Sequence, residues 1–586
     1  MTTVVPAAGR AFTVRTAARH ALWLAALFVL LSTAYWVAVY QVAGGPGMPL
    51  DDPFIHLQYA RSIHEGRPFQ YNPGQVSNGT SAPLWTLMLP LAYRATGDWL
   101  PAAYALGAVW TIPCVALTYW LTLRWTGRTA WALFAAVLLL LMHPTVLSAY
   151  EGMEVPAYVA AFLLGLLLYD LSRTAEPGRD LRWRLAGSAA FAVGCWLRPE
   201  FLLMAAIIAG ERALTLGRQG SAWHRRWLGE MVLHAVVWLV LLWPYFAFNR
   251  WASGSLLPNT FAIKAVARNA TGELAGLPSL PYALRNRDAG ALLRCLTFCQ
   301  LLGISAFVGG LLLNNVILAW NLPGTLRQAW RGAFGPAGLL AGISMLAFPL
   351  VRGLVDPGAV FQFQYQRYFG QITPLMILLV LAALATRMPL PGRQLVIACA
   401  IVSVPLLVYE GLNAAKGVDN INDMQVRIGK YLNQATPADA VIATNDAGAI
   451  AFYANRRIVD TVGLCEPKLA EWYLNKGDLE GYLWQVRPDY ACLFPDWHGQ
   501  IARRVDLFEP IEKVRVDRNV ICGGTTMWVL RTRWNKDFNP NWLADAEAKA
   551  KAEAQAKAAR VARRTAAARS GDGAPGGRGT KGFKGQ

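Results

Sequence analysis

The stretch ALWLAALFVLLSTAYWVAVYQVA, residues 21–43, is an unbroken apolar run near the start of the chain. About 20 apolar residues suffice for a helix to cross the hydrocarbon core of a bilayer. Arg10, Arg15 and Arg19 precede the run, but it is longer than the apolar region of a signal peptide and has no clean small-residue cleavage site. We therefore predict a retained first membrane span with a cytoplasmic N-terminus.

The composition of the whole chain agrees with this prediction. Of its 586 residues, 55% are hydrophobic and only 16% are charged, whereas soluble domains average about 25% charged residues. A soluble enzyme of ordinary composition and a disordered chain are both excluded. The net charge of +19 could suggest nucleic acid, but residues 536–586 hold eleven Lys/Arg against five Asp/Glu and much of the remainder lies in short loops between apolar runs. We expect the lipid bilayer as a partner and no nucleic acid.

Further apolar runs continue along the chain. The stretch 185–211 is interrupted by Arg198-Pro199-Glu200 and is predicted to form two short helices that meet at a polar turn. The segment 83–96 is too short to cross and is predicted to be interfacial. The fold class is a polytopic α-helical membrane protein with about eleven spans. The predicted runs are 21–43, 100–123, 129–149, 155–171, 185–211 (two helices), 228–248, 291–318, 336–353, 370–386 and 393–411.

The distribution of arginine sets the predicted orientation. With the N-terminus inside, every inner turn carries arginine, as the positive-inside rule requires. A span at 83–96 would invert all later loops and is rejected for that reason. The prediction is a multi-pass protein of the cytoplasmic (inner) membrane with its site-bearing loops outside. The inner arginines are Arg124, Arg128, Arg173, Arg179, Arg182, Arg184, Arg212, Arg218, Arg225, Arg226, Arg327, Arg331, Arg387 and Arg393.

Three regions follow from these patterns. Residues 1–411 form the transmembrane module, with a first outer loop at 44–99. Residues 412–535 alternate strand and helix signals and predict a small extracytoplasmic α/β domain, in which Asp446 and Asp460 stand at strand ends or helix starts. Residues 536–586 form a basic tail, helical or frayed to 569 and then disordered. In an oxidising compartment, one disulfide is expected among Cys465, Cys492 and Cys522.

The first outer loop contains two adjacent carboxylates, Asp51 and Asp52. Because neighbouring carboxylates repel, the pKa of one is expected to rise to a value suited to accepting a proton. The structural alternative is that one of them caps a helix that starts at Pro53. The residues alone leave both interpretations open.

Seven motifs in a fixed order resemble the GT-C superfamily of membrane glycosyltransferases, and within it the actinobacterial cell-wall arabinofuranosyltransferases of the terminal β-1,2 type. The resemblance covers roughly residues 20–470. The motifs are Asp51-Asp52-Pro53-Phe54-Ile55 with Tyr59-Ala60-Arg61, Asn72-Pro73-Gly74, Ser81-Ala82-Pro83-Leu84-Trp85, Glu151-Gly152-Met153-Glu154, Leu197-Arg198-Pro199-Glu200, Leu257-Pro258-Asn259-Thr260-Phe261-Ala262-Ile263-Lys264 and Gln366-Arg367-Tyr368-Phe369.

The resemblance implies a polyprenyl-phosphate sugar donor, a reaction on the extracytoplasmic side, inversion at the anomeric carbon and a first-loop Asp as general base. That role falls to Asp51 or Asp52, which the sequence does not separate. The acceptor is a hydroxyl of an envelope glycan, lipid or protein. Pro53 and Glu151 depart from the commonest form of the motifs, which leaves the acceptor and the sugar open.

Basic and polar residues at the outer ends of spans complete the predicted site. Fixed positive charge is needed where the leaving phosphate develops its charge, and we assign this to Lys264, Arg367, Arg198 and Arg61. The alternative for each is an interface anchor.

Sugar or acceptor contacts are assigned to Glu151, Glu154, Asn78 and Tyr368. The two glutamates could instead hold Mg²⁺ or Mn²⁺ together with Asp51 or Asp52, or only solvate a short loop; no other cofactor is indicated.

Two other function classes compete with a transferase. A transporter or flippase of lipid-linked sugars would carry internal repeats and polar residues at the membrane midplane, whereas no repeat is evident here and the polar residues gather at outer span ends. A non-catalytic partner in envelope assembly would use the C-terminal domain as a binding module and would not need the two aspartates.

Overall fold

The computed structural model describes residues 14–176, 178–218, 220, 223–260, 263, 283–284, 287, 289–296, 298–355, 370–475 and 477–570. Helices dominate the part of the chain that precedes residue 436. Up to residue 253 they are α1 (Val14–Ala43), α2 (Asp52–His64), α3 (Pro83–Thr96), α4 (Trp99–Thr126), α5 (Thr129–Leu141), α6 (His143–Tyr150), α7 (Val155–Leu171), α8 (Asp180–Gly194), α9 (Leu203–Gly217) and α10 (Trp223–Ser253). Beyond it they are α11 (Ala289–Leu296), α12 (Phe298–Trp330), α13 (Gly335–Val355), α14 (Ile372–Ala385), α15 (Arg393–Ile421) and α16 (Arg427–Ala435).

Several of these helices are long and apolar enough to cross a membrane. Within the described residues, α1, α4, α10 and the long helix that begins with α15 meet this test, and the bent pair α5–α6 makes a fifth. Shorter apolar helices coincide with α7, α14 and most of α13. The chain is thus an integral membrane protein, while the total of eleven spans stays a prediction.

Two breaks in the helices shape the membrane part. The predicted interruption of 185–211 is confirmed, because a single 3-10 turn at Pro199–Leu202 separates α8 from α9. The predicted run 129–149 is helical but not straight. It bends by 57° between α5 and α6, where Met142 is extended and Pro144 occupies the first turn of α6, a position that favours a new helix start.

The first loop, residues 44–98 between α1 and α4, is largely structured. It contains α2, a small hairpin of β1 (Gln70–Asn72) and β2 (Gln75–Val76), and α3. The segment 83–96 forms the helix α3, while its interfacial position stays a prediction. The hairpin was not predicted, since its strands are only three and two residues long.

A five-stranded mixed sheet occupies the C-terminal part of the chain. Its strands are β3 (Val441–Thr444), β4 (Arg457–Asp460), β5 (Tyr490–Leu493), β6 (Phe508–Arg515) and β7 (Thr526–Thr532), in the order β4-β3-β5-β7-β6. Strand β3 is parallel to β4 and β5, and β7 is antiparallel to β5 and β6. We refer to residues 441–532 as the sheet domain; its helices are α17 (Ala449–Ala454), α18 (Pro467–Leu474) and α19 (Leu479–Val486). The strands and helices of this region alternate as its sequence pattern predicts, while its extracytoplasmic placement stays a prediction.

Two further features of the C-terminal part bear on the predictions. The expected disulfide is wrong, because Cys465, Cys492 and Cys522 are all buried and unbridged. Cys492 lies in the central strand β5, and the Cys522 thiol is within 3.5 Å of the Gln425 side-chain oxygen. The last described helix, α20 (Trp542–Ser570), follows the sheet domain.

Candidate active site

Asp51 and Asp52 lie at the start of α2, where the first loop meets the sheet domain. The Asp51 carboxylate accepts the backbone N–H of Gly448 through Oδ2 and that of Ala449 through Oδ1, each at 2.7 Å. Asp51 thereby satisfies N–H groups at the start of α17, which have no partner within that helix, across a separation of 397 residues. The Asp51 side chain makes no capping bond to α2, the helix that it was predicted to cap. It caps α17 instead.

Several carboxylates share this junction. Burial, the neighbouring Asp446 and then Asp52 raise the pKa of Asp51 well above its ordinary value, against the effect of its two backbone hydrogen bonds. Burial raises the pKa of Asp446 to about 6, and Asp52 adds to the rise. The Gln425 side chain opposes it by donating to Asp446 Oδ2 at 2.6 Å. Carboxyl groups with pKa values near neutrality are suited to accept and release protons.

Asp460, at the end of β4, is a further buried carboxylate nearby. Its Oδ1 accepts the backbone N–H of Val462 at 2.9 Å and its Oδ2 that of Cys465 at 2.8 Å. Burial raises the pKa of Asp460 to about 6 despite these bonds. Asp460 thus organises the turn after β4. The residue is only 1% exposed.

Other residues of the first loop bind the sheet domain directly. The Asn72 side chain exchanges two 2.8 Å hydrogen bonds with the backbone of Ile458 in β4. The Tyr71 hydroxyl donates to the carbonyl of Ala447. Arg61 donates to the carbonyl of Phe452 at 3.0 Å and lies over its ring at 4.8 Å. Arg61, predicted as a phosphate ligand, is therefore placed at the contact between α2 and the sheet domain.

A buried polar network lies beneath α2. The Arg198 Nε lies 2.5 Å from Glu154 Oε1, and the His56 Nε2 lies 3.5 Å from Glu154 Oε2. The other ring nitrogen of His56 is within 3.0 Å of Thr80 Oγ1 and 3.1 Å of Thr86 Oγ1. The negative charge of Glu154 is balanced inside the protein, as burial of an ion requires. The structure thus brings Glu154 and Arg198 together and joins them to the first loop through His56.

Glu151 occupies the turn between α6 and α7, and it is fully buried. Next to it, the carbonyl of Gly152 accepts the indole N–H of Trp85 at 3.1 Å. Gly152 has a φ of +76°, and an added Cβ would lie 2.7 Å from Met48 Sδ and 3.0 Å from Pro53 Cβ. The turn therefore packs against the start of α2, and only glycine fits there.

Asn78 is buried and links three segments. Its amide nitrogen donates to Asn249 Oδ1 at 2.9 Å, and its oxygen accepts the backbone N–H of Asn259 at 3.2 Å. The Asn259 side chain in turn donates to the carbonyl of Gly463 at 2.6 Å. Asn78, predicted as a sugar or acceptor contact, thus joins the first loop to the end of α10 and to the sheet domain. The other predicted residues, Lys264, Arg367 and Tyr368, lie outside the described residues.

Solved structures give the context for this geometry. ArnT from Cupriavidus metallidurans, bound to undecaprenyl phosphate, is similar to this chain with a TM-score of 0.54 at 14% identity, over 86% of this chain and 97% of ArnT. Its apo structure gives the same values. The Archaeoglobus fulgidus oligosaccharyltransferase, solved in complex with Zn and sulfate, has a TM-score of 0.49 at 12% identity, over 80% of this chain and 67% of that one.

The chain shares the fold of ArnT. The shared fold agrees with the fold that the motif order predicts, while membership of the GT-C superfamily and of its arabinofuranosyltransferase subgroup stays a prediction. A family model described as a domain of unknown function, DUF8728, matches residues 419–554. No curated protein matches the chain by sequence.

The metal prediction gains no support from the described part of the chain. Across those residues, no group of three or more His, Cys, Asp or Glu side chains is arranged to hold a metal ion. Glu154, one of the predicted ligands, has Arg198 at 2.5 Å.

The sequence placed Asp446 at a strand end or a helix start and did not indicate its position beside Asp51. The signal available was the Asn445-Asp446-Ala447-Gly448 turn after a predicted strand. The sequence also did not indicate Gln425, which lies in a π-helical turn at Asn422–Val426 between α15 and α16. Such turns are frequent at functional sites, but they leave no mark in the sequence.

Proposed function

We propose that this protein is a membrane glycosyltransferase that moves a sugar from a polyprenyl-phosphate donor to a hydroxyl group of a cell-envelope glycan, lipid or protein. The observation that carries the proposal is the cluster of carboxylates with raised pKa values around Asp51 and Asp52, set in a fold shared with ArnT. The similar ArnT was crystallised with undecaprenyl phosphate, which supports a polyprenyl-phosphate donor here. Fold alone does not fix function, so the carboxylate cluster is needed for the argument.

Asp52 is the general base in this proposal. Both oxygens of Asp51 accept backbone N–H groups, from Gly448 and Ala449, which gives that carboxylate a structural role. Asp51 and Asp52 are both half-buried, and we assign the base to the second. Asp446 adds to the negative potential around the base. A positioned carboxylate contributes roughly 10²–10⁴-fold to a reaction that needs deprotonation of a hydroxyl.

The reaction follows from these assignments. Asp52 removes the proton of the acceptor hydroxyl as its oxygen attacks the anomeric carbon. The bond between that carbon and the phosphate oxygen breaks, and polyprenyl phosphate leaves with the bonding pair. Attack from the face opposite the phosphate inverts the anomeric centre.

Lys264 and Arg367 are proposed to balance the charge of the leaving phosphate. Arg61 and Arg198 support the scaffold instead, because each is engaged by protein groups, Arg61 by the Phe452 carbonyl and Arg198 by Glu154. A divalent cation at Glu151 is not part of the proposal. The reaction is placed on the outer side of the cytoplasmic membrane, which agrees with the arginine-rich inner turns.

The test begins with the donor, because the sugar is unassigned. Mass spectrometry of lipid that co-purifies with the protein should find a polyprenyl phosphate or its sugar adduct. That adduct, labelled in the sugar, is then supplied to wild-type and Asp52→Asn protein with an envelope extract as acceptor. We expect Asp52→Asn to lower kcat by about 10²–10⁴-fold with little change in donor KM.

Asp98→Asn is the matched control. Asp98 caps α4 through one oxygen, 3.2 Å from the N–H of Leu100, and asparagine caps helices about as well as aspartate. It should retain full activity. Full activity in Asp52→Asn would exclude the base assignment, and movement of the donor across the bilayer without transfer would favour the transporter alternative.

A further inference from the structure

The helix α20 begins beside the sheet domain. At its start, the Trp542 indole donates to the carbonyl of Val505 at 3.2 Å. From Leu543 to Arg563 every residue is exposed. With 29 residues the helix is about 43 Å long. A helix that is polar on all sides gains no stability from burial and depends on other support, such as side-chain pairs four residues apart.

The proximal half of α20 has the sequence of a self-supporting spacer. Alanine, the best helix former, alternates with charged residues, and each acidic residue stands four positions before a lysine, the favourable order for such pairs. Negative and positive charges therefore balance there. The pairs are Asp545 with Lys549, Glu547 with Lys551, and Glu553 with Lys557.

The distal half carries uncompensated positive charge. Arg560, Arg563, Arg564 and Arg569 form what we call the basic tip, and the sequence has no acidic residue from 554 to 571. Arg560, Arg563 and Arg564 are spaced to share one side of the helix. The helix dipole favours cations only in the last turn, so it accounts for Arg569 but not for the other three. The tip therefore has the features of a binding surface for negative charge.

The chemistry of the tip favours a hydrated polyanion over a membrane surface. Helices that lie in the interface carry Trp, Phe or Leu on an apolar face. Between residues 558 and 570 the positions without arginine hold only Ala, Val561, Thr565 and Ser570. We propose that the basic tip binds an anionic glycan of the cell envelope and tethers the sheet domain to it. The location of this glycan, outside the cytoplasmic membrane, rests on the proposed function.

Binding can be tested on the full-length protein in phosphatidylcholine nanodiscs. Fluorescent heparin oligosaccharide serves as the anionic glycan probe and neutral dextran as its control. Two triple variants each remove three positive charges. The tip variant is Arg560→Gln/Arg563→Gln/Arg564→Gln, and the matched spacer variant is Lys549→Gln/Lys551→Gln/Lys557→Gln. We expect the tip variant to lose roughly tenfold in affinity, the size expected for three exposed charge pairs, and the spacer variant to stay within about threefold.

Three results would overturn the proposal: equal loss in both variants, no heparin binding by the wild type, or tighter wild-type binding to vesicles that contain phosphatidylglycerol than to heparin. The measurement involves no sugar transfer. Loss of activity in Asp52→Asn with intact heparin binding, or the reverse, therefore separates this proposal from the proposed function.

Discussion

Replacing Asp51 with asparagine should loosen the contact between the first loop and the sheet domain, although the side chain keeps its shape. The carboxylate uses both oxygens, each accepting a backbone N–H at 2.7 Å. Asparagine offers one acceptor, so one N–H of α17 loses a charge-assisted bond worth about 1.5–3 kcal/mol and then faces an NH₂ group. Relief of the repulsion between Asp51 and Asp446 offsets part of this loss. We expect a net destabilisation of about 2 kcal/mol.

The assay is thermal unfolding of the detergent-purified protein, followed by intrinsic tryptophan fluorescence. For the Asp51→Asn variant the midpoint should fall by about 2 °C, because a loss of about 2 kcal/mol is spread over the large unfolding entropy of a chain of this length. Asp98→Asn makes the same chemical change at a cap that uses a single oxygen and should melt like the wild type. If the two variants melt alike, the junction does not depend on both oxygens of Asp51 and the reasoning fails.

Three further predictions concern the same junction. A Cβ added at Gly79 would lie 2.7–2.8 Å from atoms of the sheet domain and of α2, whereas a Cβ added at Gly45 would have no atom within 4 Å. Gly79→Ala should therefore lower the melting midpoint, and Gly45→Ala should leave it unchanged. Asn72→Ala removes two buried 2.8 Å hydrogen bonds to β4 and should cost about 2–3 kcal/mol, seen in the same melt; an unchanged midpoint would contradict it. Because the pKa of Asp446 is raised from 3.8 to about 6, the folded protein binds more protons than the unfolded one between about pH 4 and 6. Stability should fall as pH rises through that window, and Asp446→Asn should flatten the slope.

Much of the fold could be predicted because membrane helices follow from local composition. The bounds of α7 are those of the predicted run 155–171, and the break at Pro199 was visible as a polar turn inside an apolar stretch. The bend at Met142 was not, since Pro144 sits in an otherwise continuous apolar run and proline is tolerated within membrane helices.

The candidate site was predictable only in part. The Asp51-Asp52 pair stood out because adjacent acids at a membrane exit are rare in such a chain. The partners of Asp51 lie 397 residues further on, and nothing in local propensity or spacing indicates a pairing at that distance. The same limit applies to Glu154 and Arg198, which were assigned separately to sugar and phosphate, whereas the structure pairs them at 2.5 Å.

The central claim is that Asp52 deprotonates the acceptor in a transfer from a polyprenyl-phosphate sugar. The most direct measurement is single-turnover transfer of labelled sugar from the co-purified donor to an envelope acceptor, by wild-type and Asp52→Asn protein of equal melting midpoint. We expect transfer by the wild type and a rate lower by about 10²–10⁴-fold for the variant. Equal rates, or no transfer by wild-type protein loaded with the donor, would contradict it.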